Sequence, residues 1–143
     1  SAIGDALLSS ITSKLQFLTC SKWSITVDTS SLVLVCRLNA ADAKLLAGVI
    51  KFNRSLKSAD FSGNGIGDEG TAALSEALKT NSTLETLELR SNKVGAAGAQ
   101  SLAGMLQVNR ALKSADLRGN GLDSESKKKL RDAAKGRGVK IQV

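Results

Sequence analysis

The feature that most constrains the fold is a repeat of 28 residues. Leu56, Leu84 and Leu112 stand in register, as do Ala59, Leu87 and Ala115, and then Phe61, Leu89 and Leu117. The same offset aligns Asn64, Asn92 and Asn120, then Ile66, Val94 and Leu122, and then Leu74, Leu102 and Leu130. The first half of each block alternates apolar and polar residues, as in Leu84-Glu-Thr-Leu87-Glu-Leu89, which is the period of a strand with one buried face. The second half changes period: Ala73, Leu74, Ala77 and Leu78 recur at helical spacing, as do Leu102 and Leu106. Such a unit cannot bury its apolar side alone, so the pattern predicts strand-helix units stacked into a solenoid. Gly65, Gly67 and Gly70 punctuate the strand-to-helix turn, and Asp68 and Glu69 place negative charge in the first helical turn, where the helix dipole favours it.

The run Leu84-x-x-Leu87-x-Leu89-x-x-Asn92-x-Val94 resembles the leucine-rich-repeat consensus, and the 28-residue length resembles its ribonuclease-inhibitor-like class. The resemblance implies an α/β fold: a short solenoid with a parallel sheet on the concave side and helices on the convex side. It also implies that the amides of Asn64, Asn92 and Asn120 turn inward to bond backbone groups of neighbouring turns, which answers the need to satisfy buried main-chain atoms. One period upstream of Asn64, Ile66, Leu74 and Asn81 stand Cys36, Leu38, Leu46 and Asn53. Cysteine is the usual substitute for the asparagine in that family, so the resemblance makes Cys36 a buried ladder residue. Residues 28–143 are thus expected to form the repeats, ending in a capping helix and a short strand of Val139, Ile141 and Val143. Residues 1–27 do not follow the period and are expected to cap the open N-terminal edge. There Leu7, Leu8, Ile11, Leu15 and Leu18 recur as in a helix, and Trp23, Ile25 and Val27 alternate as in a strand.

A chain of 143 residues suffices for one apolar core, and 42% hydrophobic residues exclude the signature of disorder. No apolar run approaches the roughly 20 residues of a membrane-spanning helix. Nothing before Ile25 has the layout of a secretory signal; because the chain begins with Ser1, removal of a start methionine or a leader is left open. With only Cys20 and Cys36, a reducing intracellular compartment is expected. The net charge of +7 favours acidic partners, but 3% aromatic residues leave little on which single-stranded bases could stack.

Three patterns imitate chemistry. Gly65-Ile-Gly67-Asp-Glu-Gly70 is a G-x-G-x-x-G between strand and helix, yet Gly95 and Gly98 keep the same turn in the next repeat, so the glycines belong to the repeat. Asp60-x-Ser62-x-Asn64-Gly65 opens like a calcium loop, but Thr71 stands where the bidentate glutamate is needed. Ser124-Glu-Ser-Lys127 fits a serine-lysine pattern and equally the polar start of a helix capped by Asp123 or Ser124. Without histidine or a metal-ligand cluster, neither catalysis nor a cofactor is expected.

Two surface patterns remain. Alternation points Ser58, Asp60 and Ser62, then Thr86, Glu88 and Arg90, then Ser114, Asp116 and Arg118 away from the helices. Asp60, Glu88 and Asp116 then form an acidic row with Arg90 and Arg118 as its nearest compensation, and these five are the candidate partner-binding residues. The second pattern is a basic rim where helices end: Lys51, Lys79 and Lys135 fall on the period, with Arg54, Lys57, Arg110, Lys113 and Arg137 close by. Lys127, Lys128, Lys129 and Arg131 add a basic last helix. The expected function is a protein-interaction scaffold or accessory subunit, with another protein as partner, within a larger assembly. The alternative is an accessory subunit binding RNA or an anionic surface through the rim.

Overall fold

The computed structural model describes residues 24–27, 31–35 and 37–143. The expected N-terminal cap helix, Trp23 and Cys36 lie outside these residues. Two short strands, β1 (Ser24–Val27) and β2 (Ser31–Val35), precede four helix-strand steps. These are α1 (Ala40–Phe52), β3 (Ser58–Asp60), α2 (Gly67–Thr80), β4 (Thr86–Glu88), α3 (Ala96–Val108), β5 (Ser114–Asp116), α4 (Ser124–Lys135) and β6 (Lys140–Gln142).

The strands form one sheet in chain order, β1-β2-β3-β4-β5-β6. β1 is antiparallel to β2, and every later pair is parallel, with a helix as each crossover. The register follows the repeat: Ala59 pairs with Leu87 and Leu87 with Ala115. Each helix packs on the next, α1 on α2, α2 on α3 and α3 on α4. Strands stack about 4.8 Å apart but helices need about 8–10 Å, so the strand side is the concave one.

The core lies between sheet and helices. Leu56, Phe61, Leu84, Leu87, Leu89 and Leu117 from the strand side meet Leu46, Ile50, Leu74, Leu78, Leu102, Leu106 and Leu130 from the helices, all buried. Phe61, the bulkiest of them, sits two residues from Ala59, where the expected leucine is missing.

Two asparagine ladders fasten the repeats. In the first, the Asn64 side chain accepts from Leu38 N–H and donates to the Phe61 carbonyl. Asn92 donates to the carbonyls of Phe61 and Arg90, and Asn120 accepts from Asn92 and Val94 N–H while donating to Leu89 and Leu117. Asn64 and Asn92 are buried, whereas Asn120 is only half-buried, because it is the last rung and no further asparagine turn covers it.

The second ladder, which the sequence reading did not separate from the first, stands at the helix C-termini. Asn53, Asn81 and Asn109 are buried and cap α1, α2 and α3. Asn81 donates to the carbonyls of Ile50 and Asn53 and accepts from Thr83 and Leu84 N–H; Asn109 repeats this with Leu78, Asn81, Ala111 and Leu112.

Candidate functional site

The strand-to-helix turn settles what its glycines do. The N–H of Gly65 donates to the Leu38 carbonyl at 2.7 Å and that of Gly67 to the Asn92 carbonyl at 2.9 Å. A Cβ on Gly70 would lie 2.6 Å from Ile66 Cγ2 and 2.8 Å from Ala43 Cβ. The donors that a phosphate would need are spent on neighbouring repeats, and Gly70 is required by close packing. In the calcium-like segment, Asp60 Oδ1 accepts Ser62 N–H at 2.9 Å, a turn that Asp116 repeats with Arg118 N–H at 3.0 Å. At Ser124, the helix cap is Asp123, whose carboxylate accepts Ser126 N–H at 2.7 Å. That N–H bond and the Ser126 hydroxyl hold the Asp123 carboxyl below its ordinary range.

The five strand-face candidates do come together. Asp60, Glu88 and Asp116 are adjacent in register across β3, β4 and β5. Arg118 lies on Asp116 in a forked pair, Nη2 2.6 Å from Oδ2 and Nε 3.0 Å from both oxygens. Arg90 Nε stands between two carboxylates, 3.7 Å from Glu88 and 3.7 Å from Asp116. Among the described residues Asp60 is in no ion pair. Compensation is therefore uneven along the row, concentrated at Asp116 and absent at Asp60.

The carboxyl pKa values follow. Burial pushes Asp116 up, but the hydrogen bonds and charge of Arg118, with Arg90 adding to them, outweigh it, and Asp116 ends below the ordinary aspartate range. Glu88 goes the other way. Burial raises it first, Asp116 and then Asp60 raise it further as like charges, and Arg90 offsets only part.

The basic rim is less free than its composition suggests. Glu85 on the middle repeat takes Lys113 at 2.6 Å and Lys57 at 3.5 Å, and its carboxyl is lowered chiefly by the Lys113 hydrogen bond. Lys79 is bound to Glu76 at 2.5 Å. Lys51 Nζ stands 5.5 Å from the centroid of the Phe52 ring. Arg54, Arg110 and Lys135 are exposed and in no ion pair among the described residues. In the last helix, Lys128 pairs with Asp132 and Lys129 with Glu125, so among the described residues Lys127, Arg131 and Lys135 hold its unpaired charge.

Residues 52–75 and 80–103 match the family model for a Leucine Rich repeat, one repeat each. The fold is a short leucine-rich-repeat solenoid. Among solved structures, this solenoid is similar to Leiomodin-1 Actin-Binding Site 2 (ABS2), with 17% identity and a TM-score of 0.66. That likeness covers 73% of this chain and 63% of the other, and at this identity it concerns the fold. No curated protein matches the chain. Among the described residues, no helix of the solenoid is long and apolar enough to cross a membrane.

Proposed function

We propose that this solenoid is a protein-interaction scaffold of the ribonuclease-inhibitor-like class, acting as an accessory subunit of a larger assembly and docking its partner on the strand face. The observation that carries the reading is the Glu88–Arg90–Asp116–Arg118 network, which holds two arginine side chains, 46% and 57% exposed, in fixed positions on the concave side. Ordered arginines lose little entropy on binding and are over-represented among the residues that dominate interfaces. Asp60 and Glu88 beside them set the orientation of a partner carrying the complementary charge. The matched repeats and the likeness to a structure titled as an actin-binding site support protein binding, while 17% identity leaves the partner to be identified. The nucleic-acid alternative is weakened by Glu85 and Glu76, which engage Lys57, Lys113 and Lys79 on the rim.

The test is affinity purification with mass spectrometry on the unaltered chain, followed by quantitative binding of the recovered partner to Arg90→Ala/Asp60→Asn. A strand-face interface loses affinity in that variant and weakens less with salt than binding of a polyanion on the rim does. Loss confined to Arg54→Glu/Arg110→Glu, or a steep salt dependence, would transfer the function to the rim.

A further inference from the structure

Three large apolar side chains are exposed among the described residues: Leu45 and Phe52 on α1, and Val108 on α3. Leu45 and Phe52 are two helical turns apart on one face. Phe52 and Val108 are the same position of two repeats, and each opens the same triplet, Phe52-Asn53-Arg54 and Val108-Asn109-Arg110. The repeat between them carries Thr80-Asn81-Ser82 instead. In both outer triplets the apolar residue and the arginine are exposed and the asparagine between them is buried. Asn81 bonds to the Asn53 carbonyl at 3.1 Å and Asn109 to the Asn81 carbonyl at 3.0 Å, so one hydrogen-bond ladder ties the two knobs into a fixed spacing. Lys51 and Lys79 lie one residue before the first two triplets.

We propose that this helix-end edge is a second docking surface, whose occupant is an acidic segment of a protein with two apolar side chains. Two interhelix steps of about 8–10 Å put Phe52 and Val108 roughly 20 Å apart. A helical segment spans that distance in about 14 residues at 1.5 Å per residue, close to four full turns, which returns its two side chains to one face. Each of its apolar side chains rests on Phe52 or Val108, with a following carboxylate on Arg54 or Arg110, and the low middle repeat lets the backbone pass. The neighbouring helix faces argue against a wide anionic plane, because the Lys44–Glu69 and Lys79–Glu76 pairs balance the charge there. Among the described residues Phe52 is the one aromatic on the edge, which gives a nucleic acid little to stack on. This surface is independent of the strand-face reading, and either can fail without the other.

The experiment is fluorescence anisotropy with labelled glutamate-rich helical peptides carrying two Leu-Glu units about 14 or about 7 residues apart, spacings that both keep the two leucines on one face. Phosphatidylserine vesicles and a single-stranded RNA are titrated in parallel. The wide-spaced peptide binds at least about tenfold more tightly than the narrow one, and Phe52→Ser/Val108→Ser and Arg54→Glu/Arg110→Glu each weaken it about tenfold or more. Lys127→Glu/Arg131→Glu, which makes the same charge change elsewhere, and Arg90→Ala leave it within about threefold. Thermal melts confirm that the variants fold; should the apolar pair be destabilised, the arginine pair reads the same surface alone. Equal binding of the two spacings, an equal loss from Lys127→Glu/Arg131→Glu, or tighter binding of vesicles or RNA with the same edge dependence overturns the proposal.

Discussion

The Asp68 carboxylate, in the first turn of α2, accepts hydrogen bonds from Gly95 N–H at 2.6 Å and Gly98 N–H at 3.0 Å, at the start of α3. It is the N-cap of its neighbour's helix, since α3 has no capping side chain of its own. A Cβ on Gly98 would lie 2.7 Å from the same carboxylate oxygen, so this glycine is what lets the cap seat. Asp68→Ala is expected to cost about 1–2 kcal/mol. Gly98→Ala gains helix propensity but displaces the carboxylate, so the two changes overlap, and the double variant should depart from additivity by at least about 0.5 kcal/mol. Urea unfolding of the four proteins measures this, and strict additivity would remove the cap from the account.

The ladders predict an order of mutational cost. Asn92→Ala leaves buried backbone groups unpaired and is expected to cost about 1–3 kcal/mol, with Asn81→Ala in the same range. Asn120→Ala costs less, because water reaches its half-buried partners. Asn53→Ala also costs less than Asn81→Ala, since the Asn53 Nδ2 has no hydrogen-bond partner among the described residues. Chemical denaturation ranks the four, and a cost for Asn92→Ala equal to that of an exposed alanine substitution would contradict the ladder.

The turns predict a stabilising change. Gly63 and Gly119 adopt φ of 72° and 73°, and the middle repeat places Ser91 there at 54°. Two residues later Lys93, at φ 61°, stands where the flanking repeats have Gly65 and Gly121. A left-handed side-chain residue costs roughly 1–2 kcal/mol, and glycine gives back about 0.5–1 kcal/mol in chain entropy. Lys93→Gly should therefore raise stability by several tenths to about 1 kcal/mol. A lower melting temperature would show that its side chain makes contacts worth more than the backbone strain.

Much of this architecture was legible because the repeat fixes spacing. The inward Ala59, Leu87 and Ala115 and the helix leucines follow from periodicity alone, and the strand-face cluster from alternation. The second ladder was visible as Asn53, Asn81 and Asn109 on the same period, but an asparagine after a helix reads as an ordinary cap until its partners in the preceding turn are known. Asp68 was legible as dipole-favourable charge and not as a bond to the next helix, because its acceptor role depends on a neighbour 30 residues away. The pairing of rim charge was not legible for a related reason. Lys57 and Lys113 are brought to Glu85 only when adjacent repeats stack.

The acidic row predicts two opposite pH responses. Glu88, raised, binds its proton more tightly when folded, so its contribution to stability is complete below the ordinary glutamate range and is lost as pH rises through the folded value. Asp116, lowered, contributes stability above the ordinary aspartate range and loses it as pH falls. Glu88→Gln should therefore gain stability over the unaltered chain as pH rises from the acid limb towards neutrality. Denaturation midpoints across that range check it, and a difference that does not vary with pH would contradict the raising of Glu88 by burial and by the charges of Asp116 and Asp60.

The two strand-face arginines should separate binding from folding. Arg118 makes the forked pair that neutralises Asp116, whose side chain is only 7% exposed, so Arg118→Glu sets two carboxylates together and should clearly lower the melting temperature. Arg90 has only the two 3.7 Å contacts and stays half-exposed, so Arg90→Ala should alter stability by no more than about 1 kcal/mol. If the strand face carries the partner, that same variant weakens binding by about tenfold or more while the protein still melts as a cooperative unit. Calorimetry on the isolated complex reads affinity and melting in one preparation. Unchanged affinity in Arg90→Ala, with melting intact, would confine the network to a structural role and leave the helix-end edge as the surface to pursue.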